Sequence, residues 1–216
     1  MTLQHLPRFV LLLAALAAAP PAHLHAAEHA PVTSAEAPPV EATTPAAVVE
    51  RLHAALLESM RGGEALGHAG RAGLLDGVIT HTFDFPTIAR IVTGNAWKDA
   101  SEAQRSAFID VFRRLSIATY ATNFSSFGGE RFVTGASKES RNARIVETEL
   151  VKADGEAIPL NYMLHEHNGQ WLVVNVVAKG VSDLSLKRAE YTAVIQDEGL
   201  DALIARLEEK VSDLSG

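Results

Sequence analysis

The 216-residue chain contains no cysteine. That excludes disulfides, thiolate metal sites, thiol nucleophiles and thiol redox chemistry, so the fold must rest on its core. Runs of lysine and arginine are also missing, and the formal charge is −7. An acidic chain without a basic cluster argues against nucleic acid and against electrostatic capture by an anionic lipid surface. The apolar run at residues 9–19 is too short to cross a bilayer as a stable helix. No G-x-x-x-x-G-K-[ST] loop, G-x-S-x-G elbow or H-E-x-x-H pair occurs, and no close carboxylate pair has an obvious base beside it. Ser125 and Ser126 stand beside Gly128 and Gly129, but nothing there supplies a base. Enzymatic catalysis is therefore the weaker functional class, and no catalytic residue is expected.

What is present begins with an export signal. Arg8 gives a weakly positive start, residues 9–19 an apolar stretch, and small residues lead to cleavage after Ala26 or Ala27. Residues 1–26 read as a secretory signal peptide, with an uncleaved anchor as the alternative. No cysteine follows, so there is no lipid-attachment site. Loss of Arg8, the sole formal charge in that stretch, takes the charge from −7 to −8. Residues 27–44 are rich in Pro, Ala, Glu and Thr without aromatics, the composition of a disordered leader. His23, His25 and His29 lie near the processing site; a metal-binding N-terminus is the lesser reading there.

Residues 45–216 read as one domain. Thr44 caps and Pro45 opens a helix to about residue 60, with Val48, Leu52, Ala55 and Leu56 on its apolar face. Gly62-Gly63 ends it, and a glycine-rich connection leads to a second helix at residues 74–82. Asp84 has the position of an N-cap, Pro86 suits a first turn and Gly94-Asn95 a stop. Ser101 with Gln104 is a capping box for a long helix reaching about Phe127. Phe108, Val111, Phe112, Leu115 and Ala118 share one face, and beyond Leu115 the apolar arc widens through Ile117, Tyr120, Phe124 and Phe127.

After Phe127 the period changes to two. Strands are expected at residues 131–137, 144–152, 158–165 and 171–177, with Asn168-Gly169 as a tight hairpin turn. The last strand is apolar on both faces, as a central strand covered by helices would be. Gly180 ends the sheet. Two helices follow, separated by Gly199, the second striped with Leu200, Leu203, Ile204, Leu207 and Val211. The expected fold is α+β: helices packed on a curved antiparallel sheet of about four strands, enclosing an apolar pocket.

The run FDFPTIARIVTGNAW, the Gln-Arg helix start after it and the YATNF segment carry a family resemblance. Together with WLVVNVVAKGVSDLSLKRAEYTAVIQDEG and LDALIARLEEKV, residues 45–212 resemble the MlaC-like periplasmic lipid carriers. These are toluene-tolerance-type auxiliary components of an ABC transport system that moves phospholipid between the two membranes of Gram-negative envelopes. The detail is most similar to the hopanoid-biosynthesis-associated HpnM branch. These are packing motifs, so their specificity lies in order and joint occurrence. The resemblance implies a periplasmic shuttle with no chemical step and no cofactor. It would carry phospholipid or a hopanoid-type lipid between an outer-membrane complex and an inner-membrane ABC transporter complex.

The residues offer a matching apolar surplus on facing elements. Phe85, Ile88, Val92 and Trp97 approach the long helix, which contributes Val111, Leu115, Tyr120 and Phe124, while Tyr162, Leu164, Val174 and Val176 come from the sheet. These twelve are the expected lipid-binding residues. His165-Glu166-His167 could place two imidazoles on one strand face, but no third ligand is evident and no metal is expected. His53, His68 and His81 have no ligand spacing. Two other classes remain open: a protein-interaction module of envelope assembly with a filled core, and an enzyme on a cone-shaped α+β fold.

Overall fold

The structure, a computed structural model, describes residues 44–215. The expected signal peptide and all but the last residue of the leader lie outside the described residues. Helix α1 spans Pro45–Thr82, and the Thr44 hydroxyl accepts from Ala47 N at 3.2 Å as its cap. The helix is broken at Gly63 (φ 45°, ψ −132°) and Gly67 (φ 60°, ψ 179°), conformations that a side chain would strain. The expected break is there, but the expected loop is not, because the chain resumes its helix at once. Side-chain bonds account for this. Buried Arg71 donates from Nη1 to Gly63 O at 2.6 Å and from Nε to Ala121 O at 2.8 Å, and His68 Nε2 donates to Ala118 O at 3.1 Å. Tertiary fastening overrides the poor helix propensity of the glycines.

Helix α2 (Phe85–Thr93) is capped by Asp84, whose Oδ1 accepts from Thr87 N at 2.9 Å. The four-residue α3 (Ala96–Asp99) leads to α4 (Glu102–Asn123), where both halves of the Ser101/Gln104 capping box form. α4 stops short of the expected Phe127. Ser59 Oγ donates to Phe124 O at 2.9 Å, and the chain then turns away. Phe127 is left 42% exposed beneath the Arg61 guanidinium, 5.2 Å from the ring centroid.

The sheet is antiparallel throughout, in sequence order: β1 (Arg131–Ser140), β2 (Ala143–Val151), β3 (Ala157–His167), β4 (Gln170–Ala178) and β5 (Val181–Ser182). Asn168 and Gly169 both take positive φ, as a two-residue hairpin turn requires. The sheet has five strands rather than about four, since Lys179 and Gly180 make a second tight turn instead of ending it. β4 is accordingly not central. It lies next to the edge, which β5 covers in part, together with a parallel bridge from Phe83 to Val173.

Helices α5 (Asp183–Glu198) and α6 (Leu200–Ser215) meet at Gly199. Leu200, Leu203 and Leu207 are buried where α6 packs on α4, and Arg114 of α4 reaches Glu208. Among the described residues, six helices on one open antiparallel sheet make this an α+β fold. Val146, Thr148 and Leu150 of β2 and Ile158, Leu160, Tyr162 and Leu164 of β3 are buried at alternate positions, and Val151 of β2 and Val173 and Val174 of β4 are buried as well.

Candidate functional site

The aromatic side chains form one continuous row of ring contacts. Tyr191 of α5 meets Phe108 and Phe112 edge-on, with centroids at 6.1 and 6.2 Å, and Phe112 meets Phe85 at 5.9 Å. Phe85 leads to Phe83 (6.0 Å), Phe83 to Tyr120 (5.9 Å), Tyr120 to Phe124 (5.7 Å) and Phe124 to Phe132 of β1 (6.3 Å). Phe132 stacks on His53 of α1 at 3.9 Å. These separations suit offset and edge-to-face pairs. Phe108, Phe112 and Tyr191 are buried, whereas Phe83, Tyr120 and Phe132 remain half-open.

Tyr120 marks what kind of opening this is. Burial pushes its phenol well above the ordinary range, with the Asp183 carboxylate adding to the effect. Yet part of its surface is accessible. Its ring stands between those of Phe83 and Phe124 at a partly open position in the row. No described residue hydrogen-bonds the Tyr120 hydroxyl. The Tyr162 phenol is fully buried: burial raises it, and a charge on Tyr120 would raise it further. Its oxygen is already engaged with His53 Nε2 at 3.0 Å. Burial pushes His53 down to about 4, so its imidazole is neutral at neutral pH, with Nδ1 lacking a partner among the described residues. The rings that meet Tyr120, those of Phe83 and Phe124, are apolar.

The expected lipid-binding residues distribute unevenly about the row. Tyr120 is half-open beside buried Phe124, Phe85 joins Tyr120 through Phe83, and Tyr162 is buried against His53. Ile88, Val92, Val111, Leu115 and Leu164 are buried in the surrounding core. Trp97 sits apart on α3, half-buried with the Arg105 guanidinium 5.6 Å from its ring centroid. Val176 pairs with Tyr162 across the strands, but a bulge shifts the phase so that Val173, not Val174, pairs with Leu164. Val174 is the extra, unpaired residue. Phe83, Phe132 and His53 are lining residues absent from the expected set. His53 had a legible signal, since it falls among Val49, Leu52 and Leu56 on the buried side of α1. Phe132 and Phe83 had none beyond being aromatic.

His165 and His167 do share a face, with ring centroids 6.2 Å apart. His165 Nε2, however, lies 2.6 Å from Asp84 Oδ2, and the described residues contain no cluster of three or more metal-binding side chains. Burial would raise the Asp84 carboxyl, but bonds from Thr87 and His165 outweigh it and hold the group below its usual range. With Asp84 N donating to Val173 O at 3.0 Å, this residue fastens the start of α2 to both β3 and β4. A separate surface cleft of about 320 Å³ lies between the α2–α3 connection and α5, lined in part by Asn95, Arg188, Thr192 and Gln196. It shares no residue with the aromatic row.

The fold has a solved counterpart. A phospholipid-binding protein from Ralstonia solanacearum, determined in complex with a phospholipid, superposes with a TM-score of 0.69, covering 82% of this chain and 100% of that one. At 21% identity the likeness is one of fold. The MlaC protein family matches residues 50–209, most of the described chain, and the chain belongs to that family. The intermembrane phospholipid transport system binding protein MlaC of Haemophilus influenzae is 25% identical over 126 residues, 56% of this chain and 59% of that protein. The matched region therefore spans less than two thirds of that relative. These matches define the family and do not reach the hopanoid-associated branch within it.

Proposed function

We propose that this protein is a periplasmic lipid carrier that shields the acyl or polycyclic body of one lipid from water and performs no chemical step. The observation that carries the reading is the match to the MlaC family, in a chain whose row of aromatic contacts is left half-open at Phe83, Tyr120 and Phe132. The transport role in the Haemophilus relative's name and the bound phospholipid of the Ralstonia protein support it. So does the physical need. At about 0.8 kcal/mol per buried CH₂, a lipid with about thirty methylenes faces a gross penalty near 24 kcal/mol in water. A carrier must replace that water with a dry slot and leave the head group near the mouth. The cargo is a phospholipid or a hopanoid-type lipid, loaded and unloaded at an outer-membrane complex and an inner-membrane ABC transporter complex. Residues 1–26 would direct export. No cofactor is needed.

Native mass spectrometry with lipid extraction, on protein from the periplasm of its own host, tests this. A stoichiometric lipid is the expected result and identifies the cargo. A clean lipid-free mass with no uptake from liposomes would favour an interaction module with a filled core. Leu115→Trp, which enlarges a buried residue on the face of α4 leading to Tyr120, should lower the amount of co-purifying lipid. An unchanged amount would place the slot elsewhere.

A further inference from the structure

The cleft between the α2–α3 connection and α5, with its volume of about 320 Å³, sits at the small end of ligand-pocket sizes. One wall is a single face of α5, where Arg188, Thr192 and Ile195 recur at four- and three-residue spacing with Gln196 beside them. The other wall is the turn through Gly94, Asn95 and Ala96. Gly94 takes a φ of 60°, and a Cβ there would stand 3.4 Å from the Thr192 methyl, so the two walls come into near contact at that point.

The polar groups of the cleft divide into used and unused. The Thr93 hydroxyl donates to Ala89 O, and the Thr192 hydroxyl to Arg188 O. The side chains of Asn95, Arg188 and Gln196 have no hydrogen-bond or ion-pair partner among the described residues. Lys187, the other basic residue of α5, pairs with Asp183, and no carboxylate lines the cleft. Arg188 is thus a cation at the cleft with no anion of its own.

We propose that the cleft docks a segment of a partner protein that presents an apolar side chain next to a carboxylate. Arg188 takes the carboxylate, for which a guanidinium is a planar, permanently charged fork. Ile195 and Ala96 give the apolar side chain its contact. The amides of Asn95 and Gln196 both donate and accept, which matches the peptide groups on either side of it. A small acid without peptide groups would leave those two amides unused. Because the cleft shares no residue with the aromatic row, the contact does not compete with anything held there.

The test titrates the purified protein with acetyl-leucyl-glutamyl-amide, a dipeptide that carries the required groups, and with its glutaminyl twin. Backbone-amide NMR should show saturable shifts at Gly94, Ala96 and Thr192 with both. The glutamyl dipeptide should bind about threefold tighter, the size of an exposed ion pair, and added salt should erase that margin. Arg188→Gln, at an exposed position, should remove the preference while leaving the affinity of the glutaminyl twin unchanged. Asn95→Ala with Gln196→Ala should weaken both dipeptides alike. Absence of saturable shifts at these residues, equal affinity for the two dipeptides in wild type, or a preference that survives Arg188→Gln overturns the proposal. None of these outcomes touches the carrier reading, which stands or falls on lipid content.

Discussion

The two halves of α4 are built from similar residues and end in different surroundings. Over its first half, Phe108, Val111 and Phe112 are sealed against Phe85 and Tyr191. Over its second half, Tyr120 keeps surface open among half-open Phe83 and Phe132. One helical stripe thus serves as core at one end and as wall at the other. The lesson is that apolar periodicity reports which way a side chain faces, whereas the neighbours that reach it decide whether the space there is filled.

Truncation should separate the two halves most sharply. Phe108→Ala is expected to cost about 3–5 kcal/mol in denaturant unfolding, the usual range for a buried ring that leaves a cavity. Tyr120→Ala should cost clearly less, because its ring already borders a space; equal losses would mean that both ends are equally packed. Acid should act next, on the open end. His53 has a folded pKa of about 4 against an ordinary value near 6.5. Above about pH 6.5 both states are neutral. As the pH falls toward about 4 the unfolded state takes up the proton first, and about 3 kcal/mol of stability is lost. Urea midpoints across that window should decline in wild type and stay flatter in His53→Phe. Asp84 acts lower still: its depressed pKa stabilises the fold above the ordinary carboxylate value, and that contribution disappears as the pH falls through the folded one. The smallest effect belongs to neither half. Lys138→Ala breaks an exposed pair with Glu147 and should change stability by less than about 0.5 kcal/mol.

Much of the fold was legible because its signals are local. The caps at Thr44, Asp84 and Ser101, the Asn168-Gly169 turn and the break at Gly199 each act within a few residues. The errors share the opposite cause. Residues 64–73 are helical on account of bonds from His68 and Arg71 to carbonyls 50 residues away. β5 is two residues long and carries no period. Val173 displaces Val174 through a bulge that alternation alone does not reveal. Among the expected site residues Tyr120 and Phe124 stand in the aromatic row, which also takes in Phe83, Phe132 and His53. Their part depends on which elements meet, and no spacing within one element encodes that.

The hydrogen bond between His53 and Tyr162 joins residues 109 positions apart. All of α1 to α4 therefore leaves the ribosome before the strand that completes their interior exists. A β-meander closes quickly once made, since each strand pairs with the next, but the helices ahead of it have no lasting cover until then. The apolar helices therefore cannot lock together around a finished core too early, because the other wall of that core is still to come.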